Sequence, residues 1–265
     1  MPLDLKIALI QTSLHWQNAA ENRKMFEDFF SRVDAGTDLV VLPEMFTTGF
    51  TMKARDCAET MQDETVPWLL ENALNLQSHI CGSVIIEENG AYFNRLLWAT
   101  PEGDLHTYDK RHLFRMAREH LTYTAGSKRL IVDVAGWKIC PFVCYDLRFP
   151  VWIRNKLQEY DLALFVANWP AKRSRYWRML LPARAVENQA YVVGVNRVGV
   201  DGLGYPYSGD SAVISPVGDT IAEYTENSGV YTHTLSWELL HNCRRDFPVW
   251  QDADDFEIKV DRNDN

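Results

Sequence analysis

WKICPFVCYDLRFP, residues 137–150, carries an apolar run with strand character that stops at Cys144, and a helical pattern opened by Pro150 follows and runs to residue 158. The expected local structure is a strand-to-helix turn with a thiol on it. A thiol in that place lies near the first free N–H groups of a helix, whose partial positive charge favours a thiolate and whose donors suit an oxyanion. Cys144 therefore has two readings, a nucleophile or a buried small hydrophobe.

Working outward, the pattern on both sides alternates strand and helix. LKIALIQ (5–11) reads as a strand, and Asn18 then opens a segment with Met25, Phe26, Phe29, Phe30 and Val33 at helical spacing. LVVLPE (39–44) fits a strand buried on both faces and ends on Glu44. A carboxylate at the C-terminal end of such a strand is a candidate general base, or else a helix cap or solvated loop acid. Residues 66–80 predict a helix with Pro67 in its first turn, and CGSVIIE (81–87) a strand. Residues 91–108 predict a hairpin turning at Pro101–Asp104.

The segment DKRHLFRMAREHLTYTAG (109–126) has no clean periodicity and reads as a long functional loop. Lys110 is either a solvated lysine or a cation aimed at developing negative charge. Glu119 is either that cation-rich loop's ion-pair partner or part of a site. RLIVDV and WKICPFV flank Ala135-Gly136 as an antiparallel pair. LALFVANW (162–169) is a further buried strand, followed by a helix-forming segment interrupted at Pro182 and the strand AYVVGVN. After Gly199 short strands and turns follow, then a helix over 237–245 and an acidic tail from about residue 247 to 265. With no internal repeat or linker, one domain over 1–265 is expected.

At 265 residues and 46% hydrophobic content the chain can bury a sizeable core. A net charge of −9 argues against nucleic acid as a partner, although a local Arg and Lys cluster could still hold a small anion. Five cysteines, odd in number and without a CxxC pair, indicate neither a disulfide framework nor a zinc ribbon. A cytoplasmic protein is expected, since the N-terminus resembles no secretory leader and no apolar run reaches membrane-spanning length.

Glu44, Lys110 and Cys144 stand 66 and then 34 residues apart, so nothing local forces them together. The strings LPEMF, YDKRHLF and VCYDLRFP, in this order, resemble the three signature blocks of the nitrilase, or carbon-nitrogen hydrolase, superfamily. The likeness extends from LKIALIQ to the strands near residue 235. LPEMFTTGF, NWPAKR and ARAVENQ are most similar to the omega-amidase branch, particularly its bacterial members.

The resemblance implies an α/β fold of four layers, an α-β-β-α sandwich, assembled as a homodimer or larger. It implies Cys144 as nucleophile, Glu44 as general base, Lys110 with the backbone N–H of Tyr145 as oxyanion stabilisers, and Glu119 as the second glutamate that positions substrate. It further implies a small-molecule amide substrate, the terminal amide of a short 2-oxo dicarboxylic acid, with no metal or organic cofactor. Trp169 matches the aromatic that closes the pocket, and Lys172, Arg173 and Arg175 beyond it are candidate partners for the distal carboxylate. Asp146 and Arg148 read as an ion pair that fixes the turn. A Cys-His hydrolase using His112 or His120 lacks the papain-type surroundings, and a metal site from Cys140, Cys144 and His112 lacks zinc spacing. Other branches, such as deaminated glutathione amidases and carbamoyl-amine hydrolases, share the three central residues. A catalytically idle scaffold is the alternative from a different class.

Overall fold

Alternation along the first strand sets the layering. The computed structural model describes residues 3–259. In chain order its strands are β1 (Leu5–Gln11), β2 (Leu39–Val41), β3 (His79–Glu88), β4 (Ala91–Ala99), β5 (Leu105–Asp109), β6 (Val132–Val134), β7 (Trp137–Val143), β8 (Leu162–Ala167), β9 (Tyr191–Asn196), β10 (Val198–Val200), β11 (Pro206–Ile214), β12 (Thr220–Thr225) and β13 (Gly229–Leu235). The helices are α1 (Ala19–Phe30), α2 (Ala54–Cys57), α3 (Thr65–Leu76), α4 (Pro150–Ile153), α5 (Ser174–Asn188) and α6 (Trp237–Asp246). In β1, Leu5, Ile7 and Leu9 enter the core shared with the second sheet, while Ala8 and Ile10 meet Phe26, Phe29 and Phe30 of α1 and Leu69 and Ala73 of α3. Side chains two apart share a face of a strand, so one strand buried on both faces joins two cores.

The first sheet has the order β13-β1-β2-β3-β4-β5, with β1, β2 and β3 parallel and the remaining pairs antiparallel. Its outer edge is closed from the far end of the chain: β13 pairs with β1 in a seven-residue register from Leu5 opposite Leu235 to Gln11 opposite Gly229. The second sheet runs β10-β11-β9-β8-β7-β6, with β12 on β11 and with β7, β8 and β9 parallel. Trp177, Leu181 and Ala185 of α5 cover that sheet's other side. Gly194 of β9 makes the close approach possible, because a Cβ there would stand 2.6 Å from the Trp177 ring. Helices α1 and α3, two sheets and α5 form the α-β-β-α sandwich.

The parallel strands follow from the strand-helix units read in the sequence, and they aim their C-terminal ends at one side of the seam between the sheets. Two local expectations need correction. No helix runs from 150 to 158: Cys144–Arg148 is a 3₁₀ turn, and α4 is a single turn. Phe149, preceding Pro150, is held out of the helical region at φ −115°, ψ 85°, and Arg154 is extended. Helix α5 is not interrupted at Pro182. Its buried face, with Trp177 and Leu181 before the proline and Ala185 and Asn188 after it, holds the helix together despite the lost hydrogen bond.

Helix α2 and strand β10 were not foreseen, being short and without periodicity. Of the acidic tail, Val249–Asp252 form a 3₁₀ turn, and residues 260–265 lie outside the described residues. Among the described residues no helix is long and apolar enough to cross a membrane.

Candidate active site

Four titratable side chains from separate parts of the chain are buried together. Glu44 follows β2, Lys110 follows β5, Glu119 lies in a 3₁₀ turn of the connecting loop, and Cys144 follows β7. Glu44 and Glu119 are fully buried, Lys110 is 1% exposed and Cys144 8%. Lys110 Nζ donates to Glu44 Oε1 at 2.8 Å and to Glu119 Oε1 and Oε2 at 3.0 and 3.1 Å. Its ammonium also lies 5.3 Å from the centre of the Phe50 ring.

The carboxylates are held from the other side too. Asn94 of β4 donates through Nδ2 to Glu44 Oε1 at 2.8 Å and to Glu119 Oε1 at 3.4 Å. Its Oδ1 is buried without a partner, so the amide is kept for its donors at a cost in stability. Asn168, just after β8, donates its backbone N–H to Glu44 Oε2 at 2.8 Å, and its Nδ2 donates to the Glu44 carbonyl. The Phe114 N–H donates to Glu119 Oε2.

Burial alone would pull the Lys110 ammonium down, but the carboxylates of Glu119 and Glu44 outweigh it and hold the group well above the usual lysine range. Burial pushes the Glu119 carboxyl above its ordinary value, with the Lys110 ammonium opposing. The Cys144 thiol is pushed well up, first by burial and then by the charge of the Glu44 carboxylate, while its Sγ donates to the Asn168 carbonyl at 3.9 Å. The sequence reading expected a helix terminus to favour a thiolate. A five-residue 3₁₀ turn supplies little dipole, and desolvation with a neighbouring carboxylate decides for the protonated thiol.

Cys144 adopts φ 47°, a left-handed conformation that costs a non-glycine residue about 1–2 kcal/mol. Asp146 holds that turn. Fully buried, it accepts from Val143 N at 3.0 Å, Tyr108 OH at 2.7 Å and His112 N at 2.9 Å, and its Oδ1 lies 2.8 Å from His112 Nδ1. The expected Asp146–Arg148 pair is therefore absent. Arg148 instead packs over the rings of Trp169 and Tyr176, at 5.4 and 4.9 Å.

A small cavity of about 50 Å³ opens onto Cys144, walled by Lys110, Tyr145, Arg148, Trp169 and Arg173 among others. Trp169 is fixed by its N–H on Asn196 Oδ1 at 2.7 Å and by its Nε1 on the Arg173 carbonyl at 2.8 Å. Lys172 is exposed and is not part of the wall. A wider cleft of about 570 Å³ shares Phe50, Phe114, Pro170 and Arg173 with it. Neither His112 nor His120 lines either space, and His112 is stacked on Phe149 at 3.7 Å. Among the described residues no cluster of His, Cys, Asp or Glu is arranged to hold a metal ion.

Sequence reasoning missed Asn94, Asn168 and Arg148 as members of this site. Asn168 had a usable signal, because it directly follows a buried strand just as Glu44 does. Asn94 had no signal of its own, being a polar residue beside Arg95 in the strand AYFNRLLWA.

The arrangement of a buried thiol, a carboxylate beside it and an ammonium facing one small cavity suits acyl transfer. The family model described as Carbon-nitrogen hydrolase matches residues 6–245. The chain is 50% identical to "Omega-amidase YafV" of Escherichia coli strain K12, over 96% of this chain and 98% of that protein. It is 33% identical to "2-oxoglutaramate amidase" of Bacillus subtilis strain 168, over 93% and 96%. Among solved structures, XC1258 of Xanthomonas campestris, described as a CN-hydrolase superfamily protein with an arsenic adduct in its active site, superposes with a TM-score of 0.95 at 48% identity, covering 97% of this chain and 99% of that one.

Proposed function

The chain belongs to the carbon-nitrogen hydrolase family, and from that premise we propose that it is an omega-amidase, releasing ammonia from the terminal amide of short 2-oxo dicarboxylic acid monoamides such as 2-oxoglutaramate and 2-oxosuccinamate. The observation that carries the reading to chemistry is the buried Lys110 ammonium between the Glu44 and Glu119 carboxylates, in the wall of the cavity that opens onto Cys144.

In the proposed cycle, Cys144 is the nucleophile and Glu44 the general base. Because the resting thiol keeps its proton, attack and proton transfer go together: sulfur bonds to the amide carbon as Glu44 takes the proton, and the carbonyl electron pair moves onto oxygen. The Lys110 ammonium and the Tyr145 N–H stabilise that oxyanion. Glu44 returns the proton to nitrogen, the carbon–nitrogen bond breaks and ammonia leaves a thioester. Water then gives a proton to Glu44 and attacks the thioester carbon; the carbon–sulfur bond breaks, the sulfur recovers the proton and the acid departs. Glu119 has the role of holding Lys110 against Glu44, and Trp169 that of a pocket wall. No step calls on a metal or organic cofactor.

One catalytic domain, a homodimeric assembly and a cytoplasmic location belong to the same proposal, the last resting on five unpaired cysteines. Ammonia release by purified protein from 2-oxoglutaramate, with a panel of other amides alongside, tests it. Turnover of 2-oxoglutaramate that Cys144→Ala abolishes is expected. Activity confined to another amide moves the chain to another branch, such as deaminated glutathione amidases or carbamoyl-amine hydrolases. No turnover of any amide leaves a scaffold.

A further inference from the structure

We infer that Asn94 is a positioning residue for the base: with Lys110 it occupies one oxygen of the Glu44 carboxylate, so that the other, Oε2, is the atom that takes and returns the proton; this rests on the amidase reading above. The two oxygens are unequally used. Oε1 accepts from Lys110 Nζ and from Asn94 Nδ2, each at 2.8 Å. A carboxylate oxygen offers roughly two lone-pair sites, so Oε1 is full. Among the described residues Oε2 accepts from the Asn168 N–H alone, at 2.8 Å, and keeps a lone pair. Asn168 also links that oxygen to the nucleophile, because its carbonyl accepts from Cys144 Sγ at 3.9 Å.

The surroundings of Asn94 suit this one task. It is fully buried on β4, whose next residue, Arg95, turns to the other face and pairs with Asp109 and Glu88. The Asn94 carbonyl accepts from the Lys110 N–H at 3.0 Å, so one residue fixes both groups that meet at Oε1. Nδ2 reaches Glu119 Oε1 as well, at 3.4 Å. The amide cannot be turned over, since Oδ1 would then face two carboxylate oxygens. Oδ1 is left buried without a partner, a cost that an apolar side chain of the same size would not carry. What the amide adds is a neutral donor beside two carboxylates.

Removing that donor changes the base in a known direction. A hydrogen bond to the ionised form favours ionisation, so its loss makes the Glu44 carboxyl harder to ionise. The other titratable groups facing Glu44 are Lys110 after β5, Glu119 and Tyr123 of the following loop, Cys144 after β7 and Tyr207 of β11. All of them are kept when Asn94 alone is changed.

The test is the pH profile of kcat/KM for 2-oxoglutaramate, whose acid limb reports ionisation of the base, in Asn94→Leu, which keeps the volume and removes the amide. The limb is expected to move up by about one to two pH units, and kcat at pH 7 to fall about 10- to 100-fold with KM changed less than about threefold. Asn94→Ser restores one donor and is expected to fall between; should Asn94→Leu fail to fold, it carries the measurement. An acid limb that stays in place or moves down in a folded variant overturns this inference, whether or not kcat falls, because a merely structural prop lowers activity without raising the limb. That result leaves the amidase reading intact. Absence of turnover of 2-oxoglutaramate by the unaltered protein overturns both.

Discussion

At the scale of the residue, the protonated Cys144 distinguishes this site from one built on a standing thiolate. Thiolate is the form that reacts with an alkylating reagent, so a pKa raised well above 9.0 lowers reactivity at any given pH below it. Glu44→Gln removes the second cause of that elevation and at the same time the proposed base. It is therefore expected to lower turnover about 10²- to 10⁴-fold while speeding iodoacetamide labelling of Cys144 at pH 8, read by mass spectrometry. Slower labelling, or unimpaired turnover, would refute the assignment. The identities of Glu44, Lys110 and Cys144 were legible because each lies in a signature string. The protonation of Lys110 and Cys144 was not, since it depends on burial and on neighbours 9 to 100 positions away.

At the scale of the element, the long strands and the helices α1, α3 and α6 were readable from periodicity, because each buries a face that repeats regularly in sequence. The turn at Cys144 was not readable. Nothing in CYDLR announces a left-handed cysteine, and the acceptor that stabilises it, Asp146, draws its donors from β5, the following loop and β7. An Asp146–Arg148 ion pair would make the two residues equivalent in mutation, whereas the observed network makes them unequal. Asp146→Ala leaves buried donors of Tyr108, His112 and Val143 without their acceptor. A loss of about 3 kcal/mol or more is expected in urea unfolding. A loss under 1 kcal/mol would show that the network does not secure the turn.

At the scale of the whole molecule, the site exists only where the two sheets meet: the first supplies Glu44, Asn94 and Lys110, and the second Cys144, Asn168 and Trp169. Sequence patterns announced α/β alternation, but the stacking of two sheets came from the family resemblance, because pairing between layers leaves no local signature. The spacing of the outer layer is set at Gly194. Gly194→Val drives a side chain into Trp177 and Leu181 and should destabilise the protein by about 1–3 kcal/mol, lowering the melting temperature seen by circular dichroism. An unchanged melting temperature would mean that α5 can shift outward freely. The pairing of β13 with β1 has its own consequence, for synthesis. Strand β1 is translated long before β13, the partner that covers its edge. Until β13 is made that edge stands unpaired, open to pairing with a neighbouring nascent copy, so synthesis of β13 is what removes the aggregation hazard.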